Sequence, residues 1–257
     1  MKKTFFTVLF FFSAISYAYE RPNAIDEATW NDLKPFFLPE NHPIKSQLDT
    51  LFQKERLTLS KNHLKKSGFK VKQSKIKDIQ NRAYIAKHPK LRGFLLKIQT
   101  DDQAFVGEWL DWKKRILGAH YIRKAIQSFG YESEFTVPSK WIYPIPDQSL
   151  PPGNYHQKYF LLVVEDMKII KEQLNYKFWQ SIRITPQLLD KLYNLLKTVG
   201  LFDSMYPDNI PFTKSGKIAF IDTQHFHGPS DRLNRLTPYL YYENQVYWER
   251  LIRKDEG

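Results

Sequence analysis

Asn209 and Asp222 stand 13 residues apart, and what lies between them restricts the local fold more tightly than any other stretch of the chain. Ile210-Pro211-Phe212 and Lys217-Ile218-Ala219-Phe220-Ile221 are short apolar runs of strand length. Thr213-Lys214-Ser215-Gly216 between them supplies the polar, glycine-containing turn of a hairpin. The polar turn Asp203-Ser204-Met205-Tyr206-Pro207-Asp208 leads into the first run. A carboxamide and a carboxylate thus mark the two ends of one hairpin, which suits a metal–phosphate site, although purely structural hairpins carry the same pattern.

Further elements precede it in a definite order. Gly93-Phe94-Leu95-Leu96-Lys97-Ile98 is an apolar strand presenting one lysine, a pattern that a surface lysine on a half-buried strand shares. Residues 108–129 have helical spacing, with Trp112, Ile116, Ala119, Ile122 and Ile126 on one stripe. A strand over residues 141–145 is followed by a proline-rich loop through Asn154, and then residues 158–167 run from an apolar strand into the acidic turn Glu165-Asp166-Met167. Thr185 and Pro186 are a helix start, N-cap and first-turn proline, with Leu188, Leu189, Leu192, Leu195, Leu196 and Val199 leading to Gly200.

This series, over roughly residues 69–222, resembles the protein kinase-like superfamily in atypical or degenerate form, and is similar to uncharacterised secreted kinase-like proteins of bacteria that live inside eukaryotic cells. The resemblance implies an α+β, two-lobed fold. It assigns Lys97 to the nucleotide phosphates, Glu108 as the partner of that lysine with Asp111 second, and the main chain around Glu165 and Met167 to the adenine. Asn209 and Asp222 become ligands of a magnesium ion bridging the phosphates of ATP. Glu108 and Asp111 also complement the positive end of their helix.

Three departures qualify what the resemblance implies. Counting back from Asn209, Ser204 stands where the catalytic aspartate belongs, and a serine cannot accept a proton as a carboxylate does. Asp203 lies one residue early; a one-residue bulge would return it to the position of the base, and Asp208 is a further carboxylate near the loop. No G-x-G-x-x-G occurs between residues 69 and 88. Asp222-Thr223-Gln224 replaces Asp-Phe-Gly, with only 35 residues beyond it, so the large lobe must be shortened.

The amino terminus has the form of a secretory signal peptide: basic Lys2-Lys3, an apolar stretch from Thr4 to Ile15, and the small-x-small site Ser16-Tyr17-Ala18. The division expected is a signal peptide over residues 1–18, a helical extension over 19–68 with amphipathic stretches at 25–33 and 44–64, a small lobe over 69–167, and a shortened, mostly helical large lobe over 168–257. Export would place the protein in the periplasm or outside the cell. With no cysteine there is neither a disulfide nor a lipid attachment at a lipobox. Hydrophobic residues at 42% and aromatics at 16% are enough for an ordinary packed core.

Losing Lys2 and Lys3 takes the formal charge from +12 to +10, which favours anionic ligands, a protein partner or peripheral contact with a membrane surface. Export and the lack of a stacking platform weigh against nucleic acid. The lysines between Lys61 and Lys77 alternate with Phe69, Val71, Ile76 and Ile79 as in exposed strands. His225-Phe226-His227 could place two imidazoles on one side of a strand and, with Asp222 nearby, hold zinc or copper, but lacks a third partner at diagnostic spacing; Ser204 lacks the surroundings of a nucleophile.

Three functions from different classes remain: a pseudokinase-type module binding nucleotide or a partner with weak or no phosphotransfer, an active atypical kinase using Asp203, Asn209 and Asp222, and an unrelated periplasmic or envelope binding protein. The export expectation is tested directly. Mass spectrometry of the periplasmic or secreted fraction should find Tyr19 at the amino terminus, whereas intact Met1 protein found only in the cytosol would end it.

Overall fold

The computed structural model describes residues 19–72, 83–202, 205–228 and 232–254 of this α+β chain. The expected signal peptide, the catalytic-loop pair Asp203 and Ser204, and the connection 73–82, where a phosphate loop would lie, fall outside the described residues.

A five-stranded antiparallel sheet is built from β1 (Lys70–Lys72), β2 (Tyr84–Lys87), β3 (Phe94–Ile98), β5 (Lys140–Pro144) and β6 (Phe160–Glu165), in the order β1-β2-β3-β6-β5. Its inner strand β6, between β3 and β5, is buried on both faces from Phe160 to Val164, as its unbroken apolar run requires. The register sorts side chains cleanly. Lys97 is opposite Ile85 and Leu162, Leu162 is opposite Ile142, and Val164 joins Leu95 to Lys140, so all seven share one face.

The other face carries Ala86, Leu96, Ile98, Tyr143, Leu161 and Val163, and is covered by two of the three amino-terminal helices. The first of the three is α1 (Glu27–Leu33); the two on this face are α2 (Lys45–Phe52) and α3 (Lys61–Lys66), with Leu48, Phe52 and Leu64 entering the core. Helix α1 goes to the opposite side: Trp30 and Leu33 pack with Phe37, Trp112 and Phe160. The predicted helix over 44–64 is broken after Phe52, and Lys61, Lys65 and Lys66 lie on a helix where exposed strand alternation was expected. Ser60 explains this, since its side chain accepts from the His63 amide as an N-cap.

Arg56 ties this extension to the sheet. Its guanidinium bonds both oxygens of the fully buried Asp101 at 2.9 and 3.0 Å and the Lys158 carbonyl at 2.8 Å. Thr58 Oγ1 and the Lys158 amide complete the carboxylate's bonds at 2.8 and 2.7 Å, so the buried pair is fully partnered.

Helix α4 (Glu108–Phe129) spans the interval predicted from its apolar stripe and ends at Gly130 in the left-handed region. Its first half packs Trp112 on the sheet, with Nε1 donating to the Phe160 carbonyl at 3.3 Å. Its second half places Ala119, Ile122, Ala125 and Ile126 in a different core, made by α5 (Glu172–Trp179), α6 (Pro186–Val199) and α7 (Tyr242–Lys254). Thr185 caps α6, whose apolar face buries Leu189, Leu192, Leu195 and Leu196 up to Gly200.

The hairpin expected between Asn209 and Asp222 is present. The Ala219 amide bonds the Pro211 carbonyl at 2.9 Å, the Thr213 amide bonds the Lys217 carbonyl at 2.8 Å, and Gly216 turns at φ 88°. Its return strand β7 (Ile218–Ala219) pairs in parallel with β4 (Phe135–Thr136), the strand that follows α4. Among the described residues no helix is long and apolar enough to cross a membrane.

Gly118 is where α4 meets the segment after β7: a Cβ there would lie 1.7 Å from the Thr223 carbonyl oxygen. Glycine to alanine in an open helix interior stabilises by about 0.5–1 kcal/mol. Here overpacking against backbone reverses the sign, and Gly118→Ala should destabilise by about 1–3 kcal/mol in urea unfolding. A gain in stability would show that this contact is not made.

Candidate functional site

The central sheet, helix α4 and the hairpin end converge on Asp222. The Ile221 amide donates to the Asn209 carbonyl at 3.1 Å, so the ladder itself sets Asn209 beside Asp222. Lys97 reaches the same place from β3, and the two side chains act on each other electrostatically. Lys97 and Asp222, 125 residues apart in the chain, are therefore brought together.

Two cations that sequence reasoning missed join them. Arg115 Nη1 forms an ion pair with Asp222 Oδ1. Lys140, buried, donates to Thr223 Oγ1 and, at 3.4 Å, to the Ile221 carbonyl. Thr223 Oγ1 in turn donates to the Arg115 carbonyl, fastening the residue after Asp222 to α4. A signal existed for both: Arg115 is three residues from Trp112 on the inward stripe, and Lys140 has the parity of buried Ile142.

Glu108 is not the partner of Lys97. Its Oε1 accepts from the Tyr159 amide at 2.7 Å and the Phe160 amide at 3.0 Å, closing the start of β6. Burial pushes its carboxyl up from the ordinary range, while those two amides and nearby Lys158 hold it back. Two turns further along, on the same helix face, Arg115 meets Asp222 in its place. Asp111 is half-buried in the first turn of α4.

The charge balance is unusual. Burial, then the field of Arg115, pushes the Lys97 amine down to about 8, against the pull of Asp222. Burial and the neighbouring Lys97 and Arg115 push the Lys140 amine well below its ordinary range as well. Burial alone would raise Asp222, but Lys97, Arg115 and Lys140 outweigh it and hold the carboxylate well below its ordinary range. Three basic side chains around one carboxylate suit an anion. They suit a magnesium ion poorly, because the carboxylate that would ligate it is engaged by a guanidinium and faces two lysines.

The remaining expected positions have other partners. The Glu165 amide donates to the Ser139 carbonyl at 3.0 Å and its carboxylate accepts from the Ser139 amide at 3.1 Å. Asp166 bonds Lys87 at 2.6 Å and donates its amide to the Gly93 carbonyl at 2.8 Å, while half-buried Met167 follows. Tyr176 bonds Asp208 at 3.1 Å. The His225 ring packs on Phe202 at 5.0 Å, and exposed His227 packs on Tyr121 at 4.6 Å. Among the described residues no three His, Cys, Asp or Glu side chains are grouped to hold a metal ion.

No protein-family model matches the chain, and no curated protein matches it.

Proposed function

We propose that the chain is a kinase-like protein whose cleft binds an anionic, nucleotide-type ligand such as ATP, with weak or no phosphotransfer. The observation that carries this reading is the meeting of Lys97, from a central sheet strand, with Asp222, at the end of a hairpin that begins at Asn209. The order of elements supports it: a five-stranded antiparallel sheet, a long helix between β3 and β5, a short turn after β6, then a helix leading to the Asn209–Asp222 hairpin.

Ile85 and Leu95 share the sheet face of Lys97 and keep apolar surface partly exposed, as a nucleobase slot beside a phosphate site needs. Weak transfer follows from two features. Ser204 stands at the matched position of the base, whose help is typically worth about 10²–10⁴-fold. Magnesium on Asn209 and Asp222 would have to share the Asp222 carboxylate with Arg115, which already holds Oδ1. The signal-like residues 1–18 make an exported protein, periplasmic or secreted, the setting for this activity, with a protein partner as the alternative occupant of the cleft.

A ligand at about a hundred times its Kd stabilises a fold by about 2.7 kcal/mol, a shift of several degrees for a chain of this size. ATP should raise the melting temperature accordingly, and Lys97→Ala should remove that shift while leaving the ligand-free protein folded. No response to any nucleotide would favour the envelope-binding alternative. Robust turnover that disappears in Asp203→Ala would establish an active kinase instead.

A further inference from the structure

The cluster around Asp222 contains its own substitute for a metal. We propose that the Arg115 guanidinium occupies the place a divalent cation would take between Asp222 and a bound polyphosphate, so that Arg115, Lys97 and Lys140 hold the phosphates without metal. This rests on the ligand-binding reading of the same cleft and adds how the phosphates are recognised.

Three observations lead to it. Arg115 projects from the middle of α4, which is held rigidly because Gly118 lies against the Thr223 carbonyl one turn away. One guanidinium nitrogen is committed to Asp222, yet the buried Nε has no acceptor among the described residues. A buried N–H donor without a partner is costly, and an anion entering the cluster would satisfy it. Lys97 and Lys140 rise from the same sheet face, and Lys140 Nζ bonds the residues on either side of Asp222, the Ile221 carbonyl and Thr223 Oγ1.

An arginine offers a fork of N–H donors to phosphate oxygens, and its charge, unlike that of a hydrated magnesium ion, is permanently resident. Arg115 and Lys97 outweigh the single carboxylate of Asp222, leaving a net positive charge that a polyphosphate neutralises, with buried Lys140 as a further hydrogen-bond donor. The same chemistry is offered by a nucleoside triphosphate or by free polyphosphate. The two are separated by comparing ATP with inorganic tripolyphosphate.

The experiment is calorimetric titration of the mature-length protein with ATP and with tripolyphosphate, each in excess EDTA and in magnesium. The expected result is binding in EDTA at least as tight as in magnesium, with tighter binding of ATP marking a contribution from the base. Asp222→Asn should strengthen binding in EDTA by about tenfold, because a competing charge-assisted bond is released, and Arg115→Gln should weaken it by about tenfold or more. Unfolding monitored by circular dichroism checks that both variants are folded, and the comparison of EDTA with magnesium needs no variant. Binding seen only with magnesium and lost in Asp222→Asn overturns the proposal while leaving the nucleotide-binding reading standing. Absence of binding under every condition overturns both.

Discussion

At Gly118, helix α4 passes so close to the Thr223 carbonyl that no side chain fits between them, and the placement of Arg115 beside Asp222 depends on that approach. The helix belongs to two cores: Trp112 is sealed against the sheet, while Ala119, Ile122 and Ile126 are packed among α6 and α7. A single rigid rod shared by two packed layers cannot shift against one without disturbing the other. The residues it carries, and the strand end it touches, are thereby fixed relative to β3 and β5. The hydrogen bonds linking Lys140, Thr223 and the Arg115 carbonyl are the polar counterpart of the same contact.

Placing three cations so near one another opposes folding. Each ion removed from water costs several kcal/mol even after relaxation, and like charges add to the cost. Asp222 compensates one of them through a direct ion pair, and backbone and hydroxyl oxygens partly solvate Lys140. By contrast, the Arg56–Asp101 pair in the sheet region is matched charge for charge and bonded on every side. One chain thus contains a balanced buried ion pair that fastens its parts together and, around Asp222, a cluster in which basic side chains outnumber the carboxylate.

Much of the framework was legible in the sequence because it follows local rules. The helix over 108–129 was readable from its stripe, the helix from Pro186 from its cap and terminal glycine, and the hairpin from its turn residues. The site was half legible. Lys97 and Asp222 stood out because each ends or interrupts an apolar strand. Arg115 and Lys140 did not, since nothing local distinguishes a basic residue that points inward from one that points to water; only the sheet register and the helix packing decide it. Glu108 misled for a related reason: its spacing fits a lysine partner, but the free amides at the start of β6 are nearer claimants. The lysines of α3 misled because an N-cap at Ser60 overrode an alternating pattern.

The helices before the sheet have a consequence for how this chain can be divided. Leu48, Phe52, Leu57 and Leu64 close one side of the sheet, and Trp30 and Leu33 take part in sealing the other. A sheet in this position often leaves its back open to whatever partner visits; here the same polypeptide occupies that side permanently, secured by Arg56. Cutting the chain at residue 68 would strip Ala86, Leu96, Ile98, Leu161 and Val163 of their cover and yield a sticky fragment instead of a smaller working unit. Residues 19–68 are therefore an integral wall of the fold.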